Sequence, residues 1–252
     1  HIHDYSVKFY KTLEEETGLN AGFYVVGNLR MAQSRARMDE FELYASTAET
    51  VGIPYEWMSP DQIRERWPLV EVGDIVGGIW MPNDGQVNPA DVTMAMAKGA
   101  RMRGARIFEQ TPVERLIVEN GKVRGVKLAD GEIRADRVVI AGGMWSREFA
   151  AQSGVSLPLH AAEHFYIVTE QMPDLPRELP VLFVADECSY YKEDAGKLLL
   201  GCFEPEAKPW GHNGIPEDFC FDSLPEDFDH FEPILEKALQ RIPALESAGI
   251  QT

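Results

Sequence analysis

Apolar residues recur at helical spacing over the first segment, where Ile2, Tyr5, Phe9, Tyr10 and Leu13 stand among Lys and Glu residues. The stripe predicts an amphipathic helix that stops at Gly18, a residue suited to a left-handed helix end. Residues 22–31 (GFYVVGNLRM) are rich in aromatic and β-branched side chains and predict a strand or hairpin, whereas the polar, alanine-rich residues 34–51 predict a second helix. Ser59-Pro60-Asp61-Gln62 offers an N-cap serine and a proline at the first helical position, so a short helix is expected before Trp67-Pro68. Residues 75–81 read as a glycine-rich strand. A turn over residues 83–87 then leads to Asn88, the N-cap of a helix whose Val92, Ala95, Met96 and Gly99 form a small-residue stripe. Gly104 closes that helix and residues 105–109 read as a strand, giving a helix-to-strand crossover.

Alternation with a period of two follows. Residues 113–119, 123–128 and 132–140 predict three strands separated by Asn120-Gly121 and Asp130-Gly131, both strong hairpin-turn pairs, so a small antiparallel meander is expected. The third strand runs through Val138-Val139-Ile140 into Ala141-Gly142-Gly143-Met144-Trp145 and a helix over 146–152. Beyond it, residues 164–170, 181–185, 188–192 and 197–203 alternate as strands, 205–225 read as a polar loop, and 231–242 as a helix. The fold class is therefore α/β with a substantial antiparallel component.

Charge narrows the partners. With 24 Lys+Arg against 41 Asp+Glu over 252 residues the formal charge is -17, which argues against nucleic acid or an anionic membrane surface as a partner. No apolar run approaches the roughly 20 residues of a spanning helix. Cys188, Cys202 and Cys220 include no CxxC pair, so a reduced compartment without secretion is expected, either bacterial cytoplasm or mitochondrial matrix. The chain begins His1-Ile2-His3 without Met and reads as an excerpt of a longer polypeptide.

Three features carry candidate chemistry. Gly142-Gly143 lie where the carboxyl end of a strand meets the amino end of a helix, where a backbone can approach phosphate or ribose closely; a tight structural turn is the alternative. His160-Ala161-Ala162-Glu163-His164 matches the H-x-x-E-H pattern of inverted zinc peptidases. Pro158 before it and Phe165-Tyr166-Ile167-Val168 after it point instead to an extended segment, with the two rings about 13 Å apart at about 3.3 Å per residue. No metal ligands are assigned. Tyr190-Tyr191 on a strand must point to opposite faces, so at most one is core. The acidic clusters read as solvated surface and the thiols as packing residues.

Taken together and in order, residues 5–18 (YSVKFYKTLEEETG), Asp84-Gly85-Gln86-Val87-Asn88-Pro89, Gly99-Ala100-Arg101, residues 141–148 (AGGMWSRE), residues 164–170 (HFYIVTE) and Ser189-Tyr190-Tyr191 resemble dimethylglycine and sarcosine dehydrogenases. These are flavoproteins of the D-amino-acid-oxidase-like class. The resemblance spans essentially the whole chain and implies a D-amino-acid-oxidase-like FAD/NAD(P)-binding fold with an antiparallel substrate-binding sheet. The family's N-terminal βαβ unit would lie before residue 1. It implies residues 1–150 as a partial FAD-binding domain with inserted substrate-domain elements, and 151–252 as the substrate-binding sheet and following helix. Val113 would place its backbone beside the adenine, and Ala141, Gly142, Gly143, Met144 and Trp145 would form a second flavin-contacting turn. His164 would face the substrate amine, with Tyr190 or Tyr191 as its tyrosine partner, Tyr191 being favoured.

The implied reaction is FAD-dependent oxidative demethylation of an N-methyl amino acid such as dimethylglycine or sarcosine. Oxygen or an electron-transfer flavoprotein would accept the electrons, and folate could take the one-carbon unit through a domain outside this chain. The excerpt alone is expected to be inactive. The competing readings are another amino acid or hydroxy acid on the same fold, a zinc hydrolase using His160, Glu163 and His164, and a noncatalytic binding module.

Overall fold

The computed structural model describes residues 2–251. Its elements, in chain order, are α1 (Ile2–Thr17), β1 (Phe23–Tyr24), β2 (Asn28–Ala32), α2 (Arg35–Thr50), β3 (Glu56–Met58), α3 (Pro60–Arg66), β4 (Gly77–Met81), β5 (Gln86–Val87), α4 (Pro89–Met102), β6 (Val113–Glu119), β7 (Lys122–Leu128), β8 (Gly131–Arg134), α5 (Ser146–Ala151), β9 (Ala161–Ala162), β10 (Tyr166–Val168), β11 (Val181–Val184), β12 (Ser189–Asp194), β13 (Lys197–Cys202), β14 (Pro209–Trp210) and α6 (Phe228–Arg241). They group into two compact units interleaved along the chain. The first takes residues up to 106, 165–205 and from 227 on; the second takes 107–164 and 206–226.

Local chemistry accounts for the helix starts. Ser34, Ser59, Asn88 and Asp227 each accept a backbone N–H in the first turn of α2, α3, α4 and α6, and Gln62 completes a capping box at α3. Gly18 closes α1 in the left-handed region, its N–H donating to the Glu14 carbonyl.

The first unit is built on one seven-stranded sheet in the order β10-β13-β12-β11-β2-β4-β3. Only the β11–β2 pair is parallel. Cross-strand register sorts its side chains onto two faces. On one face Leu29, Trp80, Leu182, Tyr191 and Leu200 pack with Trp67, with Ile63 of α3 and with Phe231, Ile234 and Ala238 of α6. Trp67 Nε1 donates to the Pro180 carbonyl at 2.9 Å, so the buried indole keeps its hydrogen bond. On the other face, α2 covers β2 and β4 with Phe41, Ala45 and Ala48 against Ala32, Ile79 and Met81. Helices α1 and α4 make a separate small core around Leu13, Ala21, Val92 and Ala95.

A buried ionic knot ties α6 to the rest of this unit. The Arg241 side chain is only 3% exposed. Its terminal nitrogens each donate to an Asp74 oxygen at 2.8 Å and Nε donates to Glu187 at 3.1 Å, with the Glu71 carbonyl also accepting. Hydrogen bonds from Arg241, then one from Gln33, hold the Asp74 carboxyl down at about 2, while burial pushes Glu187 upward. A depressed carboxylate adds stability above its ordinary value and gives it up as pH falls through its folded value. In urea unfolding, stability should therefore decline between pH 3.8 and about 2, and Asp74→Asn should flatten that decline. An unchanged slope in the variant would rule out Asp74 as the group responsible.

The second unit holds the expected meander, β6-β7-β8, with both hairpin residues Asn120 and Gly121 at positive φ, as a two-residue hairpin turn requires. A single 3₁₀ turn over Gly143–Trp145 enters α5, and β9 pairs with β14. Two expected strands are corrected. Residues 105–109 and 135–140 adopt no strand, and β8 ends at Arg134. Strand geometry needs a hydrogen-bonding neighbour as well as propensity, and among the described residues no strand pairs with these segments. Val139 is correspondingly 87% exposed.

Candidate flavin and substrate surfaces

The second unit brings together several of the residues expected to contact flavin. Val113, at the start of β6, joins Val126, Val138, Val139, Ile140, Gly142, Trp145, Ser146 and Phe149 around an apolar cavity of about 310 Å³. The backbone turns into α5 through Gly142 at φ -89° and Gly143 at φ +55°, and nothing lies within 4 Å of where a Gly143 side chain would begin. In contrast to α2, α3, α4 and α6, this helical entry has no side-chain cap. Trp145 and Ser146 donate back to the Gly142 and Gly143 carbonyls within the turn, which leaves the amides of Gly143 and Met144 to an outside acceptor or water. Ala141, Gly142 and Gly143 are exposed, Met144 is half-buried and Trp145 is 44% exposed. An apolar shelf beside uncapped amides and two side-chain-free residues fits the adenosine portion of FAD.

Met144 and Gly143 face a second cavity in this unit, of about 230 Å³, which also takes in Arg147, His160 and Trp210. Arg147 donates to His160 Nδ1 at 2.8 Å, and the His160 and His212 rings lie 5.0 Å apart. The H-x-x-E-H residues are extended here: Ala161–Ala162 pair with β14, and the Glu163 N–H donates to the Lys208 carbonyl. They lack the helical turn that would aim both histidines at one metal. Among the described residues no three His, Cys, Asp or Glu side chains converge on a metal position. His164 is exposed and is the last residue of the second unit before β10.

The tyrosine pair divides between the faces of the first unit's sheet. Tyr191, favoured from sequence, is fully buried in the core with its ring 6.4 Å from that of Trp67. Burial pushes its phenol pKa upward. Its hydroxyl and Ser189 Oγ lie on the same side of the strand with only each other in reach. Tyr190 points the other way. It packs between Phe183, at 5.8 Å, and Phe203, at 5.2 Å. Its pKa is raised by burial and then by Cys202, Glu204 and Tyr166. A Cβ on Gly201 would lie 2.0 Å from the Tyr190 ring, so the missing side chain is what lets the ring lie there.

Register extends this into a row across the sheet, Tyr166-Gly201-Tyr190-Phe183-Arg30-Ile79-Trp57. Beyond α2 the row is half-buried to exposed, with Tyr166 51% exposed, except for Gly201, which is buried under the Tyr190 ring; neighbouring Phe203 is 53% exposed. Arg30 belongs to this surface and was not singled out from the sequence. The signal was present: one cation in the middle of an apolar strand, flanked by Leu29 and Met31. Cys202, one strand position beyond Gly201, donates to Glu204 at 2.9 Å and to the Phe165 carbonyl at 3.2 Å, and burial pushes its thiol pKa up. It is a packing residue.

The family model described as FAD dependent oxidoreductase matches residues 2–252, and the chain belongs to that family. It is 37% identical to 4-methylaminobutanoate oxidase (formaldehyde-forming) of Paenarthrobacter nicotinovorans over 97% of this chain and 30% of that protein. It is 36% identical to the mitochondrial pyruvate dehydrogenase phosphatase regulatory subunit of Mus musculus over 98% of this chain and 28% of that one. Against mitochondrial dimethylglycine dehydrogenase of Mus musculus the identity is 35%, over 99% of this chain and 30% of the relative. The chain thus spans about 30% of the length of these curated relatives. Among solved structures, L-proline dehydrogenase from P. horikoshii superposes with a TM-score of 0.84 at 23% identity, covering 99% of this chain and 64% of that one, and shares the fold. No helix among the described residues is long and apolar enough to cross a membrane.

Proposed function

We propose that the protein carrying this chain oxidises a secondary or tertiary N-methyl amino acid with FAD, in bacterial cytoplasm or the mitochondrial matrix. The observation that carries the reading is the row on the open face of the sheet, where Tyr190 lies over Gly201 between two aromatic rings. Bound FAD would supply the acceptor for the hydride on the carbon beside the amine nitrogen. On the second unit Val113 and residues 141–145 are proposed to hold it, and His164 to face the substrate amine. An amine must give up its proton before oxidation, and an imidazole is the side chain suited to take it near neutral pH. On the first unit the Tyr190 hydroxyl, rather than that of Tyr191, would hydrogen-bond the amine, while Phe183 and Phe203 exclude water from its methyl groups. Water then releases the oxidised methyl carbon as formaldehyde, or folate captures it through a domain outside this chain. Oxygen or an electron-transfer flavoprotein would take the electrons.

An anaerobic visible spectrum of the flavin-loaded protein tests this directly: sarcosine, dimethylglycine or 4-methylaminobutanoate should bleach the oxidised flavin band. Tyr190→Phe should slow bleaching about tenfold, the loss of one functional hydrogen bond. Tyr191→Phe should leave the rate unchanged, since its hydroxyl is buried in the core on the opposite face of the sheet. Equal slowing in both variants would remove Tyr190 from the site. A second reading, a flavin-binding regulatory protein without turnover, is favoured by the similarity to a phosphatase regulatory subunit. A flavin band that none of the amines bleaches would select it.

A further inference from the structure

Arg30 is the one cation in the row that crosses the open face, and it is half-buried. Its guanidinium lies 4.9 Å from the Tyr44 ring and 5.2 Å from the Phe183 ring, so two aromatic faces hold its plane. Nε donates to Asn28 Oδ1 at 3.2 Å, and the two terminal nitrogens have no hydrogen-bond partner among the described residues. The chain has 41 acidic residues against 24 basic ones, yet among the described residues none pairs with this arginine. By contrast Arg37, on the neighbouring α2, is paired with both Glu40 and Asp186. A half-buried guanidinium that is fixed in plane, with its bidentate edge free, is arranged to receive a carboxylate.

Position then sets the distance. Arg30 and Tyr190 occupy strands two apart, with Phe183 directly between them in register. Two strand spacings are on the order of 10 Å, and Tyr190 leans over Gly201, away from Arg30. In an α-amino acid the nitrogen and the carboxyl carbon are only about 2.5 Å apart by standard bond lengths. Even with a hydrogen bond of about 2.9 Å at each end, a glycine derivative spans only about 8 Å, and each added methylene lengthens that reach by about 1.3 Å.

We propose that Arg30 binds the carboxylate of the substrate and that Tyr190 meets its amine, so the site selects an N-methylamino acid whose amine and carboxylate are separated by several methylenes. The proposal rests on the amine-oxidising reading for the role of Tyr190, but the carboxylate site stands on its own geometry. Phe183, between the two polar groups in register and stacked against the Tyr190 ring, supplies the apolar wall for those methylenes.

The test uses the flavin-loaded protein and two readouts. Pentanoate, which has the acid and the methylene chain but no amine, is titrated by calorimetry. Turnover is compared for N-methylglycine, 3-(methylamino)propanoate, 4-(methylamino)butanoate and the acid-free N-methylbutylamine. Pentanoate should bind, and Arg30→Met should weaken it at least tenfold, with Arg30→Lys between the two because lysine keeps charge but loses the fork. In the parent, 4-(methylamino)butanoate should exceed N-methylglycine at least tenfold in kcat/KM, and Arg30→Met should erase that advantage while leaving N-methylbutylamine unchanged. Pentanoate binding that is absent, or indifferent to Arg30, would overturn the carboxylate site. A preference for N-methylglycine would overturn the spacing. Arg30-dependent pentanoate binding without oxidation of any amine would instead reject the oxidising reading and keep the anion site.

Discussion

Arg241→Met should destabilise the protein by about 3–5 kcal/mol in denaturant unfolding, the usual cost of removing one partner of a buried ion pair. The substitution keeps most of the side-chain volume, so little of the loss comes from a cavity. What remains is Glu187, with a side chain 7% exposed, left with the weaker influence of Lys237 as its only cation among the described residues. One of its oxygens already lacks a partner in the intact protein. Asp74 fares better because its side chain is 54% exposed and water can solvate it. The sign of the next step follows: adding Glu187→Leu to Arg241→Met should recover a large part of the loss, because the uncompensated charge is gone. Two additive losses would mean that the pair acts through packing and not through charge. Because Arg241 also donates to the Glu71 carbonyl, the double variant should remain below the parent.

Gly201→Ala should cost about 1–3 kcal/mol in stability, in the range of core overpacking, and should lower the rate of flavin reduction by amine about a hundredfold, as a misplacement on the order of 1 Å does. A Cβ at this position would sit 2.0 Å from Cζ and 2.3 Å from the hydroxyl oxygen of Tyr190. The ring must swing aside, and Phe183 and Phe203 on either side limit where it can go. The damage should be confined to the open face, because Leu200 and Tyr191, on the other side of the same strands, keep their contacts. Gly201→Ala combined with Tyr190→Ala should therefore regain stability without regaining activity. Full activity in Gly201→Ala would show that the Tyr190 ring position is irrelevant to the reaction.

Much of this arrangement is legible along the chain. Asn88 and Ser59 announce their helices because capping is a contact among neighbours in sequence, and Asn120-Gly121 announces its hairpin because only a few residue types take positive φ cheaply. Long-range pairing is less visible. Residues 105–109 and 135–140 have the composition of strands, but no local signal says whether a partner strand exists. The Tyr190-Tyr191 alternation is certain from the backbone, yet parity alone leaves the core face undetermined. The cross-strand neighbours resolve it. Leu182 and Leu200 stand opposite Tyr191, whereas Phe183 and Gly201 stand opposite Tyr190. Arg30 reads as a polar interruption of a strand until Phe183, distant in sequence, is placed beside it. The Arg241 knot draws on residues 71, 74, 187 and 241 and has no sequence signature at all.

The parallel pairing of residues 28–31 with 181–184 sets a timetable for a chain emerging from the ribosome. At about 5–20 residues per second, β2 is complete on the order of 10–30 s before β11 exists. During that interval Leu29 and Met31 have no sheet to bury them on one side, although β4 can already pair with β2 on the other. Helix α6, which lies over the same core, arrives later still. The nascent first unit is thus an unfinished sheet with a sticky edge for most of its synthesis, and a chaperone that shields short apolar strands would act before residue 184 is made and not after the chain is released.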